Sequence, residues 1–173
     1  PKKDPIIAVG MVPVRGGIVH LGEAYRTLVR PGEGGAIDPE SVRAHQLLWG
    51  EVQAAPPPLE VLPEIARRLR DSVLIVHHRA IDVAFLRHAF QAVGLRWPAP
   101  RVVDTARLLV KIGKMAQPDL PYDMQPLNLS RARRAYGLPD YQAHDALTDA
   151  VATAELFLVL RKKLGARTLR DLL

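Results

Sequence analysis

The chain has 173 residues, the size of one domain on the usual ~100–200 residues per domain, and such a length buries roughly 70% of its unfolded surface without needing staples. Apolar residues make up 48% and charged residues 24%, which excludes disorder, collagen-like repeats and coiled coil; the absence of cysteine excludes disulfides, a thiolate nucleophile and Cys-ligated zinc. Asp, Glu and His remain as metal ligands, a set that suits Mg²⁺ or Mn²⁺ where carboxylates dominate. The net charge of +6, with Arg as 18 of the 24 cations, fits a polyanion such as nucleic acid, and fits an arginine-preferring GC-rich genome equally well.

The first thirty residues read as a β-hairpin. Residues 6–14 are strand-like, Arg15-Gly16-Gly17 is turn chemistry, and residues 18–29 resume an extended pattern. Asp4 and Pro13 interrupt the opening apolar stretch and no small-residue cleavage site follows it, so it reads as a strand and not as a signal peptide. A loop over 30–35 leads to a short helix expected over 40–48. The prolines at 56–58 open a second helix, in which Leu59, Leu62, Ile65, Ala66 and Leu69 share an apolar face. Val73–Val76 is short, β-branched and wholly apolar, the pattern of a buried central strand. A helix over 81–93 follows, closed by Gly94; then a strand at 102–103, a helix from Asp104-Thr105 to about 112, and a long loop marked by Pro118, Pro121 and Pro126. Helices over 129–136 and 144–164 end at Gly137 and Gly165. The order predicts a single α/β domain over 1–173, a mixed β-sheet flanked by helices. The longest apolar runs, Val73–Val76 and residues 156–160, fall far short of the ~20 residues of a membrane span, so no membrane partner and a cytoplasmic location are expected.

Two segments carry residues suited to chemistry. In the first, Asp82 lies just past the carboxyl end of a strand, where open α/β sheets gather functional groups. Its structural reading is a carboxylate stabilising a helix N-terminus, and His77 and His78 read likewise as strand-end histidines bonded to backbone. Spacing alone favours that structural reading. In the second, Asp145 and Asp149 are four apart, so they are expected to share one helix face. His144 lies about 140° round from Asp149 on an ideal helix, so it joins that carboxylate only from the preceding loop, as a general base beside a metal ligand. The alternative is a solvated helix face with an incidental histidine, and spacing does not separate the two. Asp104 reads as an N-cap. Gln125 to Leu129 resembles a sliding-clamp-binding pentapeptide, but Leu127 and Leu129 read better as core. Tyr136, Tyr141 and Trp49 have the chemistry to stack on bases, with core packing as the default.

Together these segments resemble the DEDDh, or DnaQ-like, 3′–5′ exonucleases, the group that contains the proofreading epsilon subunit of DNA polymerase III. Residues 4–18 resemble that family's second strand and hairpin. Leu28-Val-Arg-Pro31 and His45-Gln-Leu47 are similar to its V-x-P and H-G-I stretches. Val76-His-His-Arg-Ala-Ile-Asp82-Val-Ala-Phe-Leu86 matches its H-N-A-x-F-D-x-x-F-L motif, with His78 and Ile81 in place of Asn and Phe. Val103-Asp-Thr105 matches a V-D-T, and His144-Asp-Ala-Leu-Thr-Asp149-Ala matches H-x-A-x-x-D-A, the most specific part.

The resemblance implies a ribonuclease H-like sheet and metal-assisted hydrolysis of the terminal phosphodiester of single-stranded DNA or RNA, releasing 5′-mononucleotides with two Mg²⁺ or Mn²⁺ ions. It assigns Asp82 and Asp149 to the metals, His144 as general base, and His45, His78 and Tyr141 to substrate, with a DNA polymerase subunit as a further partner. The family's first motif, D-x-E on the first central strand, is not in the 173 residues. Upstream residues are expected to supply it, and the 173 residues alone are expected to bind Mg²⁺ weakly and to turn over poorly. Two rival readings remain. An HD-type phosphohydrolase would use His144-Asp145, but that fold is helical throughout. A catalytically inactive nucleic-acid-binding or polymerase-accessory module of the same fold would make Asp149 dispensable.

Overall fold

A computed structural model describes residues 5–32, 49–116, 127–143 and 145–173. The helix expected over 40–48, the proline-marked loop up to 126, and the site residues His45 and His144 lie outside the described residues.

The opening hairpin is split in two. Gly16 and Gly17 both adopt positive φ, 59° and 82°, the left-handed pair that a two-residue hairpin turn requires. Around them β2 (Val14–Arg15) pairs with β3 (Ile18–Val19). Further out, β1 (Ala8–Met11) runs antiparallel to β4 (Tyr25–Leu28), in register from Ala8 opposite Leu28 to Met11 opposite Tyr25. Pro13 cannot donate to a ladder; only its carbonyl is engaged, by the His20 N–H at 2.9 Å, and a 3₁₀ turn at Leu21–Glu23 separates the pairs.

Helix α1 spans Trp49–Ala54 and α2 spans Pro58–Leu69. Pro58 occupies the first turn of α2, where its missing N–H costs nothing. Of the expected apolar face, Leu62, Ile65 and Leu69 are buried and Ala66 is half-buried; Val61 joins them, whereas Leu59 is 59% exposed and lies off the packed surface. Next come β5 (Val73–Val76), α3 (Arg79–Ala92), β6 (Arg101–Asp104), α4 (Thr105–Ala116), α5 (Leu129–Ala135) and α6 (Ala146–Lys163). Strands β5 and β6 are parallel, with Val73 opposite Arg101 and Val76 opposite Asp104.

Alternation along the strands divides two cores. Val73 and Ile75 point to a cluster built from Val103, Leu108, Leu109, Leu156, Phe157 and Leu160, under α4 and α6. Leu74 points the other way, to Val61, Leu62, Ile65, Leu69 and Phe90 under α2 and α3, and Val9 and Met11 of β1 join it there. Each of these large side chains, once buried, stabilises the fold by about 1.5–3 kcal/mol. Strands β1 and β5 therefore line the same helical layer, yet among the described residues they share no ladder. Between them lies a cleft of about 1030 Å³, lined by Gly10, Met11, Val73, Leu74, Ile75 and Phe157 among others. This open edge explains why Val73, Leu74 and Ile75 are only half-buried where the sequence predicts full burial. On one side of the cleft Gly10 lets α6 dock: a Cβ there would collide with the Ala146 carbonyl.

Candidate active site

The junction of β5 and α3 is held from outside its own segment. His78, the residue before α3, adopts a left-handed conformation (φ 74°, ψ 71°) and offers no capping side chain. The missing acceptor comes from Asp104, at the end of the neighbouring strand. This buried carboxylate accepts from the His78 N–H at 3.1 Å and the Ala106 N–H at 3.0 Å through Oδ1, and from the Arg79 N–H at 3.0 Å through Oδ2. The expected N-cap of α4 is thus present, and the same side chain also caps α3. Thr105, fully buried, donates its hydroxyl to the Val76 carbonyl at 3.0 Å, and His77 Nδ1 lies 2.8 Å from that hydroxyl. His77 and His78 both direct Nε2 to the Leu127 carbonyl, at 2.6 and 3.0 Å. The structural reading of the two histidines is therefore present in full, and burial holds the His77 pKa below its ordinary value, against the pull of the Leu127 carbonyl.

Asp82 sits in the first turn of α3, half-buried. Burial first, then the charges of Asp104 and Asp149, push its carboxyl up to about 6. An exposed carboxylate serving only the helix dipole would not show this. Asp149 occupies the corresponding first turn of α6. That helix caps itself: Asp145 accepts from the Thr148 N–H at 2.9 Å and hydroxyl at 2.8 Å, and pairs with Arg26 at 2.7 Å. Asp145 is extended (φ −96°) and precedes the helix, so it does not share a helical face with Asp149 as the four-residue spacing predicts. Its Oδ1 is spent on the cap and its Oδ2 on Arg26.

Tyr141 is brought to the site. It is half-buried, and burial first, then the charge of the neighbouring Asp149, raises its pKa, with Ser130 acting against that rise. Behind it stands Arg133, 3% exposed, with its guanidinium 5.1 Å from the Tyr141 ring centre. Arg133 donates to the Ala152 carbonyl at 2.8 Å and the Pro139 carbonyl at 3.1 Å, and pairs with Glu155 at 2.7 Å, tying α5 and the following loop to α6. Sequence reasoning missed Ser130 and Arg133, since a serine and one arginine in the run Arg131-Ala-Arg-Arg134 carry no local signal.

Asp82 and Asp149 are hard oxygen donors whose charges act on each other, an arrangement that a divalent cation relieves. Among the described residues no group of three or more His, Asp or Glu is close enough to hold a metal ion. The two carboxylates thus fit part of a Mg²⁺ or Mn²⁺ shell, the rest falling to water, phosphate oxygens or groups outside the described residues.

Residues 1–157 match the family model described as exonuclease (RNase T). The chain belongs to this exonuclease family. It is 34% identical, over 94% of its length, to a Mycobacterium tuberculosis protein assigned as a bifunctional exonuclease/endonuclease, of which it covers 24%. It is 31% identical over 96% of its length to a DNA polymerase III subunit epsilon-like protein of Rhodobacter capsulatus, covering 22% of it. The chain therefore spans about a quarter or less of these curated relatives. In fold it is similar to the nuclease domain of 3′hExo, a DEDDh family member solved with rAMP, with a TM-score of 0.75 over 92% of this chain and 82% of that one at 16% identity. The α/β, ribonuclease H-like class expected from the sequence is the fold of this DEDDh exonuclease domain.

Proposed function

We propose that the domain is a metal-dependent 3′–5′ exonuclease that hydrolyses the terminal phosphodiester of a single-stranded nucleic acid and releases 5′-mononucleotides. One observation carries the reading: the half-buried Asp82 carboxyl is pushed up to about 6 by burial first, then by the charges of Asp104 and of Asp149 on a separate helix. Apart from a charged ligand there is little reason to hold two acids this way. Asp82 and Asp149 would hold the Mg²⁺ or Mn²⁺, two ions in the family's chemistry, and Tyr141 would orient Asp149. A bound cation would supply charge neutralisation at the phosphate and a more acidic water. His144 is the general base, and His45 and His78 contact substrate; for His78 this leaves Nδ1 and the ring, since its Nε2 is engaged by the Leu127 carbonyl.

The remaining carboxylates of the family's chemistry belong to a D-x-E strand. The cleft between β1 and β5, where neither facing edge is paired among the described residues, supports a place for one extended strand there. The likeness to a protein solved with rAMP supports a mononucleotide product, and the epsilon-like relative supports a polymerase subunit as partner.

The test is digestion of a 5′-labelled single-stranded oligonucleotide with Mn²⁺, using full-length protein beside its Asp149→Asn variant. The expected result is a ladder shortening from the 3′ end that the variant loses. No ladder from either protein, with melting curves unchanged, would overturn the nuclease reading in favour of a nucleic-acid-binding module.

A further inference from the structure

We infer that Asp104 is a positioning residue for the cation site, a clamp that holds the left-handed turn at His78 and so sets where Asp82 stands. This rests on the reading of Asp82 and Asp149 as cation ligands. Three observations carry it. An N-cap needs one acceptor for its own helix, and Asp104 meets that need with the bond to Ala106; its other bonds go to the His78 and Arg79 N–H groups of a different element. Those two amides lie where α3 begins without a cap of its own, one turn before Asp82. Between them the chain takes φ 74° at a histidine, a conformation that only glycine adopts freely. Thr105 adds a second fastening from the same strand end, on the Val76 carbonyl. The carboxyl ends of β5 and β6 are thus stitched across the parallel pair, and the stitch fixes the first turn of α3.

Asparagine separates this role from simple capping. Asn caps helices as well as Asp does, but it has one acceptor oxygen and turns an amide N–H₂ toward one of the three donors. A capping role alone leaves Asp104→Asn like the wild type. The clamp instead predicts faster hydrogen exchange at the His78 and Arg79 amides, with the exchange of α2 unchanged. It also predicts Mn²⁺ binding weakened by about 10–100-fold, the usual range for partners that orient a ligand, read by electron paramagnetic resonance in full-length protein. At saturating Mn²⁺ the oligonucleotide KM should stay within about threefold. In the double variant Asp104→Asn, His78→Gly, glycine takes the left-handed turn without a clamp, and most of the lost Mn²⁺ affinity should return.

Wild-type Mn²⁺ affinity in Asp104→Asn overturns the proposal, as does weakened binding with unchanged exchange at His78 and Arg79. Failure of His78→Gly to restore any affinity also counts against it. Asp149→Asn distinguishes the underlying reading: if that variant binds Mn²⁺ as the wild type does, it is the cation-site reading that fails.

Discussion

The starts of α3 and α6 solve one problem in two ways. Each helix presents an aspartate from its first turn, Asp82 or Asp149. Helix α6 is capped from within, by Asp145 three residues before Thr148. Helix α3 has no cap of its own and takes Asp104 from the next strand. A self-capped start forms wherever its own few residues fold; a borrowed one exists only once β5 and β6 are paired. The candidate site therefore has one side made by local chemistry and another made by assembly.

The largest effects should fall on both sides alike. Asp82→Asn and Asp149→Asn are each expected to lower hydrolysis by about 10²-fold or more, since charge stabilisation at a phosphoryl centre is worth several kcal/mol. Initial rates at fixed Mn²⁺ check this, and an Asp149→Asn enzyme of normal rate would remove α6 from the site. Next in size come the cores. Leu156→Ala, on the buried face of α6, and Ile65→Ala, on that of α2, each empty a fully buried position and should cost about 2–5 kcal/mol in denaturant unfolding.

The pH response sharpens the contrast. Asp82 titrates near 6 in the folded, metal-free protein, against 3.8 for an unperturbed Asp. Between those values the folded state binds more protons than the unfolded one, so this group's contribution to stability falls as pH rises from about 4 to about 6. Asp82→Asn should abolish that decline, leaving the inactive variant more stable than the wild type above pH 6 without metal. Melting temperatures of both proteins across pH 4–7 measure the difference. Added Mn²⁺ should raise the wild-type melting temperature above pH 6 and leave Asp82→Asn nearly unmoved.

The smallest effects belong to the self-capped helix. Asp145→Ala removes both Thr148 bonds and should cost about 0.5–2 kcal/mol. Arg26→Ala, which only unpairs an exposed guanidinium from Asp145, should cost less than about 1 kcal/mol and lose its effect at high salt. If Arg26→Ala proved as costly as Asp145→Ala, the ion pair and not the cap would hold this helix start.

Much of this was legible in the sequence where one stretch of chain decides its own conformation. The Gly16-Gly17 turn, the proline-led start of α2, strands β5 and β6, and the glycines after α3, α5 and α6 follow from dihedral limits and from hydrophobic periods of 2 or 3.6 residues. Asp82 and Asp149 were visible as carboxylates at helix starts. Their meeting was legible only through the family resemblance, because periodicity says which face is apolar but not which face it meets. Asp145 shows the same limit in reverse: four-residue spacing put it beside Asp149, whereas the cap turned it away.

The sequence by itself determined most of the elements, their order and the two cores' apolar faces, since those depend on neighbours a few residues apart; helix α1 and the 3₁₀ break in the second hairpin strand were not among them. Only the tertiary structure decided the raised pKa of Asp82, the place of Tyr141 near Asp149, the second duty of Asp104, and, among the described residues, the break between β1 and β5. Each of these comes from burial or bonding between groups far apart along the chain, and such pairs exist only when the packed layers bring them together.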